Sequence, residues 1–115
     1  DFELLHTGGE FLYEKVLETV STWGTEDNLM FVIGATRAGE LSNARKLAPH
    51  HFYLVPGVGA QGGSMQEVFK EGKIKDCGLL INVSRAVIYA SPGEDFAEKA
   101  RDAAMEYQKE IEEYL

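Results

Sequence analysis

Four glycines fall within seven residues in the stretch "PGVGAQGGS": Gly57, Gly59, Gly62 and Gly63. Glycine tolerates positive φ and lets a ligand come close to the backbone. Successive N–H groups presented this way can converge on an anion. Gln61 is the only polar side chain inside the loop, and its amide can donate too. A second stretch, "NVSRA", places Arg85 directly after an apolar run. A guanidinium there can grip oxyanion oxygens in a bidentate fashion, and Ser84 adds a hydroxyl and an N–H. Together the two stretches suit the grip of a single phosphate. Two plainer readings stand beside this one: a tight turn with no ligand, and a surface arginine held in a salt bridge.

Gly57, Gly59 and Gly62 also spell G-x-G-x-x-G after an apolar run and before an amphipathic one, the pattern of a dinucleotide fingerprint. That fingerprint expects an acidic residue about 20 positions onward to hold a ribose. Counting from Gly62 reaches Asn82 and Ser84, where no acid stands. Arg85 can instead meet the extra phosphate of NADP, so this alternative stays open. Pro56 directly before the first glycine, and the short helix after the loop, weaken it.

The elements that must position these residues follow from hydrophobic periodicity. Residues 9–23 read as a helix with Leu12, Val16, Val20 and Trp23 on one stripe. "LMFVIGA", 29–35, is a continuous apolar run of strand length, suited to burial on both faces of a parallel sheet. A helix over 38–48 turns Leu41, Ala44, Leu47 and Ala48 inward. "HFYLVP" is a second strand, residues 64–71 a short helix capped by Ser64, and "CGLLINVS" a third strand. A long helix runs from about residue 93 to the end on a stripe of Phe96, Ala100, Ala103, Tyr107, Ile111 and Leu115. A helix followed by three strand–helix units implies an α/β fold with a parallel sheet. Both an open doubly wound sheet and an arc of a (β/α)₈ barrel fit. A closed barrel takes about 250 residues, so three strands would leave two open edges and one bare face.

The chain has 115 residues, enough for one domain. Its net charge of −8 argues against nucleic acid as a partner, while a small phosphorylated ligand stays compatible. The single cysteine, Cys77, excludes a disulfide within the chain and reads as a packed residue. No apolar stretch reaches the length of a membrane span and no signal peptide is visible, so a cytoplasmic enzyme or binding protein is expected. The sequence opens at Asp1 without a methionine, and the expectation is a piece of something longer.

The remaining polar residues make poorer candidates. His50 and His51 are adjacent before a strand and read as ordinary loop histidines; a metal site would need further ligands at suitable spacing. Thr36 reads as a helix cap for "RAGEL", Glu40 and Glu94 as first-turn acids, and Tyr89 as packing under the final helix. None forms a nucleophile–base pair.

As a set, "VIGAT", "ELSNARKLAP", "FYLVPGVGAQGG", "LLINVSRAVIYAS" and "DFAEKARDAA" resemble the C-terminal part of orotidine 5′-phosphate decarboxylases. The similarity is to the longer bacterial type, in which "PGVGAQGG" and "NxSRxxIYAS" recur in this order, and it covers nearly the whole chain. The resemblance implies a partial (β/α)₈ TIM barrel, strands 6–8 with their helices and one preceding helix, so that residues 1–115 form the C-terminal segment of a single barrel domain. It implies decarboxylation of orotidine 5′-monophosphate to UMP, a step of pyrimidine biosynthesis, without metal or organic cofactor. Gln61 and Arg85 would match the phosphate-gripping glutamine and arginine. Gly62, Gly63 and Ser84 would complete that grip, while Pro56, Gly57 and Val58 would belong to the loop beside the pyrimidine.

The departure is equally specific. The family's catalytic Lys/Asp cluster, D-x-K-x-x-D in pattern, is absent from these 115 residues. So is the Ser/Asn-rich loop that recognises the pyrimidine, expected just upstream of "DFELL". No catalytic residue is therefore expected in this chain. The resemblance implies the missing N-terminal half of the barrel as a partner, and a homodimer for the complete enzyme. Two other readings remain: a non-catalytic half-barrel that binds phosphate or pairs with itself through its open edges, and an NADP-binding oxidoreductase fragment.

Overall fold

The computed structural model describes residues 4–59 and 62–115. Its first element is a hairpin absent from the sequence reading: β1 (His6–Thr7) pairs antiparallel with β2 (Glu10–Phe11). Gly8 and Gly9 turn the chain at φ +65° and +95°, the mirror-image turn that matches strand twist. The helix expected from residue 9 therefore starts later, as α1 (Leu12–Ser21). Glu14 secures its start by accepting a 2.9 Å bond from the Phe11 N–H.

Three parallel strands follow: β3 (Phe31–Val32), β4 (Tyr53–Pro56) and β5 (Leu79–Asn82). The β3–β4 ladder continues beyond Val32, since Ile33 and Ala35 donate to Leu54 and Pro56 at 3.0 and 2.8 Å. The helices α2 (Ala38–Leu47) and α3 (Met65–Gly72) connect them. Strand order is β3-β4-β5, the order of the chain. Right-handed crossovers taken in one direction place both helices on the same face of the sheet.

The sheet's two faces differ accordingly. Tyr53 and Val55 of β4 and Leu79 of β5 are buried against Leu41, Ala44, Val68 and Phe69 from the helices. On the opposite face Val32, Leu54 and Leu80 form one row in register. Val32 is 69% exposed and Leu80 45%. The expectation of a first strand buried on both faces is corrected: β3 is an edge strand with its outer face open.

The helix stripes shift for the same reason. α1 turns Leu17 inward, with Tyr13 partly buried beside it. Asn43 of α2 binds both the Tyr13 hydroxyl, at 3.1 Å, and the Glu14 carboxylate. Val16 and Trp23 of the expected stripe face outward, Trp23 at 74% exposure. Leu41, Ala44 and Ala48 are buried as expected. Ser64 caps α3 by accepting from the Glu67 N–H at 3.3 Å.

Past β5 the chain forms a short helix, α4 (Arg85–Ile88), which the periodicity did not separate, and then α5 (Phe96–Glu112). Tyr89 projects at 75% exposure rather than packing under α5. α5 docks through Tyr107, Ile111 and Tyr114, the last stacked on Phe69 at 5.1 Å. Lys73 donates to the Tyr114 and Leu115 carbonyls at its far end. No helix of the described residues is long and apolar enough to cross a membrane.

Cα atoms have a radius of gyration of 16.0 Å, against about 13 Å for a compact domain of near this length. An arc open on one face gives such a value; a closed core would not.

At the bottom of the arc one side chain joins four segments. Arg45 donates from Nε to Gly72 O (3.0 Å), from Nη1 to His51 O (2.7 Å) and from Nη2 to Gly78 O (3.1 Å). Its guanidinium lies 3.8 Å over the Tyr53 ring. The Tyr53 hydroxyl donates toward Ala44 O and Ala48 O at 2.8 and 2.9 Å. Lysine cannot reproduce this fork. Arg45→Lys should cost about 2 kcal/mol or more, because buried carbonyls lose their donors; urea denaturation measures it. Burial, opposed by the nearby Arg45 charge, pushes the Tyr53 phenol up from 10.0 to about 12. An unfolded phenol loses its proton near 10, so the Tyr53 contribution is complete below that pH and is lost as pH rises from about 10 to about 12. Tyr53→Phe should flatten this part of the stability–pH curve, read as unfolding midpoints across that window.

Candidate functional site

The two stretches singled out by residue type meet in space. β4 and β5 pair in register through Pro56 and Asn82, so the segments leaving both strands start side by side. A small cavity of about 60 Å³ lies between them, lined by Pro56, Gly57, Val58 and residues 82–86. Five expected site residues are therefore together: Pro56, Gly57, Val58, Ser84 and Arg85. Gln61 lies outside the described residues. Gly62 and Gly63 are not among the lining residues.

The glycine loop uses its residues differently from the sequence expectation. Gly57, Gly59 and Gly62 adopt φ of +96°, +77° and +85°, which only glycine takes without strain. Yet the amides do not point together at one place. Gly59 N–H donates to Gly63 O (3.2 Å), Gly62 N–H to Gly59 O (2.8 Å) and Gly63 N–H to Gly57 O (3.1 Å). The described glycines of the loop thus bond to one another. Gly63 is required for another reason: a Cβ there would lie 2.5 Å from Ala35 Cβ and 2.8 Å from Gly57 O. The loop thus rests on the end of the β3 segment, and the absence of a side chain sets its height.

The polar side chains of the cavity come from the β5 end. Arg85 opens α4, is exposed, and has no carboxylate partner among the described residues. The salt-bridge reading of Arg85 therefore has no support here. Ser84 precedes it and directs its hydroxyl to Asn82 Oδ1 at 3.4 Å. Asn82 was missed as a site residue by the sequence reading. The signal was available: it is a polar residue inside an apolar run, two positions from Leu80 and hence on the same open face. No acidic side chain lines the cavity, so an anion there meets one guanidinium and neutral donors.

The remaining candidates sit elsewhere. Thr36 does not cap α2, whose N-cap residue is Arg37; Glu40 is in the first turn and pairs with Arg37 at 2.7 Å. Glu94 precedes α5 rather than lying in its first turn. Cys77 is half-buried at φ +68°, in the turn before β5. His51 is not an ordinary loop residue. It is buried beside Phe31, at a ring separation of 5.3 Å, and neither ring nitrogen has a partner among the described residues.

Strand order also bears on the dinucleotide alternative. Dinucleotide sites of open sheets lie where the strand order reverses, and this sheet runs in chain order without reversal.

No family model matches the chain. Its relatives are consistent with one another. The orotidine 5′-phosphate decarboxylase of Flavobacterium johnsoniae is 53% identical over 115 residues, covering 100% of this chain and 42% of the relative. That of Christiangramia forsetii is 52% identical over 111 residues, with 96% and 41% covered. Among solved structures, Leishmania donovani OMP decarboxylase superposes with a TM-score of 0.81 at 34% identity, over 99% of this chain and 42% of the other. Leishmania donovani UMP synthase gives 0.74 at 37% identity, over 90% and 24%. The chain spans about two fifths of the curated relatives it matches. The three-stranded sheet is an arc of a (β/α)₈ barrel.

Gly63→Ala should force the loop off the β3 segment and cost about 1–3 kcal/mol, the usual range for overpacking. Thermal unfolding reads the loss; an unchanged midpoint would show that the loop does not rest on Ala35.

Proposed function

We propose that this chain, a segment belonging to the orotidine 5′-phosphate decarboxylase family, supplies the phosphate-holding side of a site that converts orotidine 5′-monophosphate to UMP and CO₂. The observation that carries the reading is the cavity in which Asn82, Ser84 and Arg85, which has no carboxylate partner among the described residues, line one wall with the Pro56–Val58 segment at two adjacent strand ends. In (β/α)₈ barrels the strand ends of the last two units commonly form a phosphate site.

In this reading residues 1–115 are the C-terminal segment of one barrel domain, with β3, β4 and β5 as barrel strands 6, 7 and 8. Arg85 takes the phosphate through its fork, with Ser84 and Asn82 beside it. Gly62 and Gly63 join when the loop exchanges internal bonds for bonds to the anion, and Gln61 donates its amide. Pro56, Gly57 and Val58 border the pyrimidine. The Lys/Asp chemistry comes from the other part of the barrel, which also covers the Val32–Leu54–Leu80 row. The chain by itself is then inactive, and the complete enzyme is a soluble cytoplasmic homodimer.

The phosphate lies away from the bond that breaks, so its contribution to rate is indirect. Binding energy gathered at a remote group can be used to hold the reacting part in a closed, ordered site. Arg85→Ala in the complete enzyme should lower kcat/KM by about 3 kcal/mol, roughly a hundredfold. Steady-state kinetics measure this, together with UMP and NADP titrations of the unsubstituted enzyme. Unchanged kcat/KM removes Arg85 from the site, preference for NADP over UMP replaces the reading with an oxidoreductase, and turnover by the chain alone refutes the division of labour.

A further inference from the structure

The candidate site is reached from behind by a residue that neither its motifs nor its cavity includes. A side chain on Gly59 would collide with the Tyr107 hydroxyl of α5, which is therefore seated against the Gly59 backbone. Gly59 is the pivot of the loop: its N–H donates to Gly63 O and its carbonyl accepts from Gly62 N–H. Its φ of +77° leaves no room for compensation by another residue type.

Tyr107 is well held for such a role. Its ring lies with Ile81, Val83 and Ile111 along the groove between β5 and α5. The far end of α5 is fixed by the Tyr114–Phe69 stack and by Lys73. α5 also packs against α4, the helix that begins at Arg85. One helix thus abuts both halves of the cavity wall, the glycine loop through Tyr107 and the arginine through α4.

We infer that Tyr107 is a positioning residue for the anion-binding loop, acting through Gly59. Its hydroxyl sets how far the loop can retreat from the β5 end, and so the distance across which Arg85 and the loop meet a phosphate. This rests on the proposed phosphate role of the cavity and adds to it a residue outside the cavity. The phenyl part of Tyr107 serves packing; the hydroxyl oxygen makes the closest approach to Gly59. Tyr107→Phe therefore separates the two functions.

The test uses the complete enzyme and two probes: UMP, and uridine, which carries the same base and ribose without phosphate. Tyr107→Phe should weaken UMP binding about threefold or more, leave uridine binding and the melting temperature unchanged, and raise KM more than it lowers kcat. Gly59→Ala should weaken UMP further, and adding Tyr107→Phe to it should restore part of the loss, because the colliding oxygen is gone. Unchanged UMP affinity in Tyr107→Phe overturns the inference. Equal weakening of UMP and uridine with a lower melting temperature also overturns it, since the residue would then only hold the fold. If the unsubstituted enzyme binds UMP no more tightly than uridine, the phosphate role itself fails, a result distinct from either.

Discussion

Everything at the upper end of the sheet is fixed from the lower end, by the guanidinium of Arg45. It receives carbonyls from the end of α2's exit, the end of α3 and the residues just before β4 and β5. Those at the ends of α2 and α3 lie where helix dipoles leave partial negative charge and backbone acceptors lack helical partners. One planar cation answers them all and lies flat on Tyr53. No carboxylate is among its hydrogen-bond partners, and burial pulls its pKa below the ordinary value. Arginine stays protonated even so. Tyr53 then bonds back to α2 through Ala44 and Ala48, closing a unit of one helix and one strand. Because β4 and β5 enter the sheet from points held by the same side chain, Pro56 and Asn82 leave it side by side.

The second constraint is the bare face. A row of Val32, Leu54 and Leu80 across three strands is not a surface that water stabilises, and the apolar groove from α1 to β3 extends it. Apolar patches of this size ask for cover. In the proposed reading the rest of a barrel supplies it. Exposure of Trp23, Val16 and Val32 is then no defect of the sequence. On that reading these residues are patterned for a neighbour.

That distinction explains what the sequence told and what it hid. Periodicity located α2, α3, α5 and the three strands, because each has a face that must be apolar whatever covers it. It could not say which edge of the α1 stripe would be used: Leu17, with Tyr13 beside it, meets α2, whereas Val16 and Trp23 face outward. The hairpin before α1 was hidden because four residues carry too little pattern against the adjoining helix. α4 was hidden because "RAVIY" continues an apolar strand without a break. Site residues were found by type, and five of the eight meet in one cavity. The glycines have roles in the fold that their types did not announce: Gly63 is needed for contact with Ala35, and the amides of Gly59, Gly62 and Gly63 bond within the loop. Asn82 escaped because its significance comes from the face it shares with Leu80, not from any motif. Arg45 escaped altogether, since nothing in "NARKL" distinguishes a buried arginine from a solvated one.

In the proposed reading the anion grip is separate from the reacting centre, and that has a physical consequence for how such a site is built. A phosphate is a large, fixed charge whose recognition needs rigid donors, and rigidity here descends from Arg45 through two strands to their ends. The reacting ring needs charges whose spacing can be tuned without disturbing that grip. Placing the two on different arcs of one sheet lets each be packed by its own helices, while the shared strand register keeps their distance constant. On that reading the arc with the anion grip is completed by loop adjustments, the internal bonds of Gly59, Gly62 and Gly63 giving way to bonds to an oxyanion. Such an exchange leaves the number of hydrogen bonds unchanged, so the net gain comes from the charge-assisted bonds and from Arg85. A loop that is already folded and satisfied loses little conformational entropy on binding; this is the advantage of a self-bonded glycine loop over an open, disordered loop carrying the same donors.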